Sequence, residues 1–443
     1  MRRRRLLTPT TAPVEVLIES LSHEGRGVAR VNGKTTFVEG ALAGERVRAR
    51  YVLQHRRYDE AVATEILAPA PERVAPSCQH YGVCGGCSLQ HLDRAAQLRH
   101  KQAILLEHLH HAGSLTPRTL MPPLNSPGEG YRHRGRVSAR YLNSKQRAQV
   151  GFRERLSNTI TEITRCEVLH PRAGNLFAPL SALVSRLSVA DAVPQIEIAV
   201  SEQDCGLVLR HVRPVTDNDK EQLRVFEREH NVRFYLQPGG ETTVVPLDPE
   251  RAPLLNYKLA EFDVEIRFGP TDFTQVNFHI NQQLVSRVVE LLVPTAQEQV
   301  LDLFCGLGNF SLPLARRAGQ VTGVEGIAHL VAGAQANAAH NGIGNTEFVV
   351  ADLVREVEGN PVLQKPWNKI LLDPPRTGAW EVLSALKYDA VQTLIYVSCN
   401  PATFARDAAL LVNEKAFVLD AVGVVDMFPH TAHVECLARF SRK

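Results

Sequence analysis

Asp302-Leu303-Phe304-Cys305-Gly306-Leu307-Gly308-Asn309-Phe310 is the stretch that decides the fold of this chain. It closes one apolar run, Val300 to Phe304, and leads into a helical pattern. The same order of strand, turn and helix then recurs at Gln320 to Val324, Glu347 to Val350, Lys369 to Leu372 and Thr393 to Val397. Apolar strands alternating with helices pack as a parallel sheet covered by its own crossovers. Residues from about 299 onward are therefore expected to form a doubly wound, Rossmann-like α/β domain.

Gly306 and Gly308 allow close backbone approach to a ligand at the carboxyl edge of the sheet. The third glycine of the dinucleotide fingerprint is absent, and a Gly-x-Gly pair alone is a weak signal. The acids that follow at strand ends strengthen it: Glu325 is placed for ribose hydroxyls, Asp352 for an adenine amine, and Asp373 ends the next strand on the same rim. The competing use of such acids is helix N-capping. With no phosphate-gripping loop present, the cofactor implied is S-adenosylmethionine.

Asp373-Pro374-Pro375-Arg376 follows the fourth strand, and Ser398-Cys399-Asn400-Pro401 ends the fifth. A thiol there faces the crevice that would hold the cofactor. If the substrate is a uracil, its C5 is too weak a nucleophile to take a methyl group until a thiolate has added to C6. Cys399 is the expected nucleophile, and Glu435, in His433-Val434-Glu435, the expected base. A packing role at a buried strand end is the alternative for Cys399.

Upstream, Val14 to Ser20, Val28 to Val31, Thr35 to Val38, Val47 to Tyr51 and Ala61 to Leu67 read as strands, with Asn32-Gly33 as a hairpin turn. A five-stranded OB-type β-barrel is expected, with Arg46, Arg48 and Arg50 on one face. That stripe fits a nucleic-acid groove or charge protection of an edge strand. Beyond a joint at Pro69 to Pro76, Cys78, Cys84 and Cys87 surround Gly85-Gly86. They suit an iron-sulfur cluster or zinc, with Cys166 left as fourth ligand because the other cysteines have competing explanations. Ala95, Leu98, Leu105 and Leu109 mark a helix stopped by Gly113, and His108, His110 and His111 on it are read as surface residues. Tyr131 to Leu142, Ile196 to Val200 and Gly206 to Arg210 indicate a mostly antiparallel middle sheet.

The 443 residues are 44% hydrophobic and 22% charged, ordinary values for a multidomain globular protein. No apolar run approaches the roughly 20 residues of a membrane span, and Arg2 to Arg5 lead into polar and proline residues, not a signal peptide. A membrane or secreted protein is excluded on this reading, and a cytoplasmic one expected. Residues 1–67 carry 12 Lys/Arg against 8 Asp/Glu, and residues 131–155 carry 8 against 1, while the remainder is net acidic. Two basic patches imply a polyanionic partner, with solvated surface as the alternative.

Together these motifs, with Gln275 in Asp272-Phe273-Thr274-Gln275-Val276-Asn277 and the closing Phe428-Pro429-His430-Thr431, resemble the RNA 5-methyluridine methyltransferases. Within that family, the four cysteines and a leading TRAM domain resemble the 23S rRNA (uracil-C5) subgroup. The resemblance covers nearly the whole chain and implies methylation of uridine 1939 of the large-subunit rRNA. It further implies cofactor contacts at Gln275, Phe304, Asn309, Glu325, Asp352 and Asp373, and a [4Fe-4S] cluster on Cys78, Cys84, Cys87 and Cys166. Cys399 is implied as nucleophile and Glu435 as base. The target base has to leave its stack to reach the thiol, and Phe273 with Arg132, Arg134, Arg136 and Arg140 are candidates for stacking and phosphate contact. The expected domains are TRAM at 1–67, a central iron-sulfur domain at 74–265 whose helix at about 95–112 packs on the catalytic domain, and the methyltransferase at 266–443. A monomer without an obligatory protein partner is the default. The competing functions are methylation of another rRNA or tRNA uridine, or redox-responsive RNA binding by an inert methyltransferase fold.

Overall fold

Asn32 and Gly33 both take positive φ, 51° and 78°, as a two-residue hairpin turn requires. They join Gly27–Val31 to Lys34–Glu39 inside a six-stranded sheet. Its order is Val14–Leu17, Arg46–Gln54, Tyr58–Ala68, Lys34–Glu39, Gly27–Val31, Ser20–Leu21. The sixth strand, beyond the five expected, is Ser20–Leu21, whose two residues are too few to show alternation. Val16, Ile18, Ala29, Val38, Val47 and Ala49 form the core. Arg46, Arg48 and Arg50 alternate with buried Val47 and Ala49 on the exposed face, as expected. Register shifts along the Arg46–Gln54/Tyr58–Ala68 pairing curl the sheet. The proline-rich joint is pinned by the buried Glu45 carboxylate, which accepts from Leu42 N (2.8 Å), Ala70 N (3.1 Å) and the Arg73 guanidinium (2.7 Å).

The computed structural model describes residues 12–155, 157–251 and 254–443, so the Arg2 to Arg5 cluster lies outside the described residues. The chain divides into two units. One is Met1–Ile104 with Arg153–Asn158 and Phe428–His433; the other is Leu105–Phe152, Thr159–Met427 and Val434–Lys443. The expected helix runs Arg94–Gly113, with Ile104, Leu105 and Leu109 buried and His110 and His111 exposed.

The second unit contains two large sheets. The first orders Val245–Pro246, Arg233–Gln237, Cys205–Arg210, Gln195–Val200, Arg134–Leu142 and Arg147–Gly151. Its pairings are antiparallel, as expected, except that Cys205–Arg210 runs parallel to Arg233–Gln237. That exception follows from the helix Asp217–His230 serving as crossover. A capping box of Thr216 and Asp219 starts this helix, a signal present in the sequence as Thr-x-x-Asp.

The second sheet contains β1 (Gln299–Leu303), β2 (Gln320–Glu325), β3 (Thr346–Val350), β4 (Lys369–Leu372), β5 (Thr393–Ser398), β6 (Phe417–Val425) and β7 (Glu435–Arg442). Their spatial order is 3-2-1-4-5-7-6, with the short Thr119–Leu120 beside β6. The first five are parallel, as the repeated pattern predicts, and β7 inserts antiparallel between β5 and β6. The associated helices are α1 (Phe278–Leu292), α2 (Ser311–Ala315), α3 (Ala328–His340), α4 (Trp380–Ala385) and α5 (Pro401–Asn413). Strand order reverses between β1 and β4, and a ligand crevice forms at such a switch point beyond the carboxyl ends of the strands. Among the described residues no helix is long and apolar enough to cross a membrane.

Candidate active site

The turn after β1 has a left-handed backbone at Phe304 (φ 66°), Gly306 (54°) and Gly308 (89°). Phe304 N and Cys305 N both donate to Val324 O, at 2.8 and 3.1 Å, tying the turn to the end of β2. An ideal Cβ at Gly306 would meet no atom within 4 Å, so this corner of the backbone is open to a ligand. Glu325 braces it: Oε2 accepts from Gly306 N (3.2 Å) and Oε1 from Ile327 N (3.0 Å). Asn309 is tied to the buried Asn281 on α1 through a reciprocal amide pair (2.8 and 2.9 Å) and accepts from the Tyr257 hydroxyl at 2.8 Å. Neither Asn281 nor Tyr257 was singled out from sequence, since a polar residue in an apolar helical face carries no local sign of its partner.

Asp302 lies beneath this turn, fully buried, with Oδ2 accepting from Ser311 Oγ and Oδ1 without a partner. Burial pushes its carboxyl up to about 7, against the Ser311 bond, and the charges of Asp373 and Glu325 add to the rise. Asp373, past the end of β4, is likewise raised to about 7 by burial. Gln275 Nε2 donates to Asp373 Oδ2 at 3.4 Å, so two residues far apart in sequence meet. Asp352 caps its own turn instead, accepting from Val354 N (2.9 Å) and Arg355 N (3.0 Å), which hold its carboxyl below the usual range. No helix starts at Asp352, so it caps a turn and is not the helix N-cap that was the alternative.

Ser398 pairs with Cys436 across β5 and β7, so the next residues outward, Cys399 and Glu435, are neighbours at the strand ends. Cys399 is half-buried and Glu435 buried. Burial, then the charges of Glu435 and Asp373, push the Cys399 thiol up to about 11, and Arg376 opposes them. Asn400 joins the two motifs: Oδ1 accepts from Ala402 N (3.1 Å) to start α5, and Nδ2 donates to Arg376 O (3.0 Å). The thiol, two carboxylates and one guanidinium thus meet where β4 and β5 end and β7 begins.

The segment before α1 carries Phe273, which is 69% exposed. Arg134, a candidate phosphate contact from sequence, is engaged within the protein: its guanidinium donates to Asp272 O and to Pro270 O (3.0 Å). Arg132 Nε is bonded to Arg134 O (2.7 Å) and Arg136 to Glu197 (2.8 Å). Of the four arginines, Arg140 alone is exposed and unpaired among the described residues.

Cys78, Cys84 and Cys87 lie half-buried in one loop of the first unit. Gly86 N points at Cys84 Sγ (3.5 Å), and Gly85 N donates to Arg153 O (2.9 Å), where a Cβ on Gly85 would collide. Cys166 belongs to the second unit, where its N–H donates to Gly174 O (3.0 Å). Among the described residues no three His, Cys, Asp or Glu side chains are gathered closely enough to hold a metal ion. Soft donors and an N–H aimed at sulfur suit a cluster, but no ligand set is assembled among the described residues. Phe428–His433 belongs to the first unit, where His430 O accepts from Ser88 N and Leu89 N (2.9 Å each) and Lys101 Nζ donates to Phe428 O (3.0 Å).

Residues 255–443 match the family model described as tRNA (Uracil-5-)-methyltransferase, and residues 12–52 match the TRAM domain. The chain is 46% identical to the 23S rRNA (uracil(1939)-C(5))-methyltransferase RlmD of Hahella chejuensis, over 100% of this chain and 99% of that protein. It is 48% identical to the protein of the same name from Nitrosococcus oceani, over 97% and 96%. Among solved structures, the Pyrococcus abyssi tRNA (uracil-54, C5)-methyltransferase in complex with S-adenosyl-L-homocysteine superposes with a TM-score of 0.74 at 23% identity. That alignment covers 96% of this chain and 99% of the other, and shows a shared fold.

Proposed function

The chain belongs to the RlmD family of 23S rRNA (uracil-C5)-methyltransferases, and from that premise we propose that it forms 5-methyluridine at position 1939 of the large-subunit rRNA through Cys399 and Glu435. It is a mixed α/β protein with a TRAM domain at its N-terminus and an S-adenosylmethionine-dependent methyltransferase fold at its C-terminus. The observation carrying the chemistry is the placement of Cys399 and Glu435 at adjacent strand ends beside Asp373.

S-adenosylmethionine supplies an electrophilic methyl on a sulfonium. The open Gly306 turn, Glu325 and Asp373 suit its polar, cationic frame, and Gln275, Phe304, Asn309 and Asp352 complete the proposed contacts. The Cys399 thiolate adds through Sγ to uracil C6, and the displaced π electrons make C5 nucleophilic. C5 takes the methyl as its bond to the sulfonium sulfur breaks, leaving S-adenosylhomocysteine. Glu435 then removes the C5 proton, the C5–C6 double bond re-forms, and the C6–S bond breaks to release the thiolate. Phe273 is the proposed stacking contact for displaced RNA bases.

Cys78, Cys84, Cys87 and Cys166 are the proposed ligands of a [4Fe-4S] cluster. Four half-buried cysteines, three of them in one loop, in a chain with the leading TRAM domain support that reading, and no step of the methyl transfer depends on it. Iron and sulfide analysis of anaerobically purified protein tests it, with loss of both in Cys84→Ser expected. The proposed domains are 1–67, 74–265 and 266–443, acting in the cytoplasm.

Nucleoside mass spectrometry tests the function: unmodified large-subunit rRNA or tRNA is incubated with S-adenosylmethionine and either the wild type or Cys399→Ala. Methylation of one rRNA uridine, lost in the variant, is expected. Methylation of tRNA alone would overturn the target, and RNA binding without methylation would overturn the enzymatic reading.

A further inference from the structure

We propose that Asn281 and Tyr257 are positioning residues of the cofactor site, holding the Asn309 amide in the one sense that leaves a single N–H for an acceptor atom of S-adenosylmethionine. The inference rests on the reading that Asn309 touches the cofactor.

An amide side chain has two lone pairs on oxygen and two hydrogens on nitrogen. Asn309 Oδ1 receives both Asn281 Nδ2 and the Tyr257 hydroxyl, each at 2.8 Å, and so is saturated. Asn309 Nδ2 gives one hydrogen to Asn281 Oδ1 at 2.9 Å. One hydrogen remains. The sense of the amide follows from burial: Asn281 is 0% exposed and Tyr257 3%, so the hydroxyl needs a protein acceptor. Turning Asn309 over alone would present nitrogen to that hydroxyl and set nitrogen against nitrogen and oxygen against oxygen across the pair with Asn281, which itself lies within hydrogen-bonding reach of the hydroxyl. Tyr257 has little freedom to adapt, because its ring packs on Phe278 (4.8 Å between centroids) and Phe268 (6.0 Å).

Three separate elements thereby converge on one side chain of the glycine turn: the hairpin strand Leu255–Leu259, helix α1 and the loop after β1. The cofactor atom that meets Asn309 is a carboxylate, ribose or ring-nitrogen acceptor, and not one of the cofactor's own N–H groups.

The test measures calorimetric affinity for S-adenosylmethionine and S-adenosylhomocysteine, together with KM, kcat and RNA affinity. Tyr257→Phe is expected to weaken cofactor binding about fivefold, raising KM while kcat at saturation and RNA affinity stay unchanged. In an Asn309→Ala background the same substitution is expected to do nothing further, because its effect runs through Asn309. Asn309→Asp is expected to bind more weakly than Asn309→Ala, since it sets an acceptor against an acceptor. Equal losses from Tyr257→Phe in both backgrounds, or tighter binding by Asn309→Asp than by Asn309→Ala, would overturn the proposal. Unchanged affinity in Asn309→Ala would show instead that Asn309 is no cofactor contact and would remove the premise. If Tyr257→Phe does not fold, Asn281→Asp, which keeps the acceptor and loses the donor, carries the same comparison.

Discussion

Asp302 and Asp373 show what burial costs at a site built for a cationic ligand. Both carboxyls are raised to about 7 from an ordinary value near 4. The native state therefore holds more protons than the unfolded chain between about pH 4 and pH 7, and the contribution of these groups to stability falls as pH rises through that window. Asp302→Asn, which keeps an acceptor for Ser311, is expected to melt higher than the wild type at pH 8 in the absence of cofactor. The difference should vanish near pH 4, and thermal melts across that range check it. Cys399 is the complementary case, since a thiol raised to about 11 is protonated at neutral pH. Its alkylation by iodoacetamide, read against Cys399→Ala, is expected to rise about tenfold per pH unit between pH 7 and 10. Glu435→Gln should leave the methylated uracil attached to Cys399, visible as a protein–RNA adduct on a denaturing gel. An adduct-free, active Glu435→Gln enzyme would show that another group removes the proton.

The elements that carry the site are held by a few buried polar contacts. Lys369, in β4, is buried and donates from Nζ to Leu292 O and Val293 O, 2.6 Å each, closing the last turn of α1, with Glu298 3.4 Å away. Lys369→Ala leaves those carbonyls and Glu298 without their cation. A loss of about 3 kcal/mol in denaturant-unfolding stability is expected, without change in cofactor affinity per folded molecule. At the other end of the site, Gly378 has φ 83°, and a Cβ there would lie 2.6 Å from both Arg406 and Asp407 side chains. Asp407 accepts from Ala379 N and Tyr396 Oη, both at 2.7 Å, so the turn after Asp373-Pro374-Pro375-Arg376 depends on α5.

Across the whole molecule, chain order and spatial order diverge at the C-terminus. Phe428–His433 belongs to the first unit, although β6 and β7 on either side of it belong to the second. A fragment of residues 12–104 is expected to keep its six-stranded sheet but lose the bonds from Ser88, Leu89 and Lys101 to that loop. Hydrogen exchange checks this: amides of Ser88 and Leu89 should be protected in the full chain and exchange freely in the fragment. The parallel order β1 to β5, the Asn32-Gly33 hairpin and the arginine stripe were legible in sequence because each is written in local periodicity or turn chemistry. The insertion of β7 between β5 and β6 was not, since an antiparallel strand returning from the chain end has no local signal for its neighbour. Cys399 and Glu435 could be named from their motifs, and their adjacency came from the Ser398–Cys436 register alone. Arg134, Asp352 and Asn309 mark the boundary most clearly. Sequence by itself determined which residue types stand at the strand ends, and hence which chemistry is available. Only the tertiary structure decided which of those groups are already committed to backbone or to one another, because a hydrogen-bonding partner is chosen by distance in space.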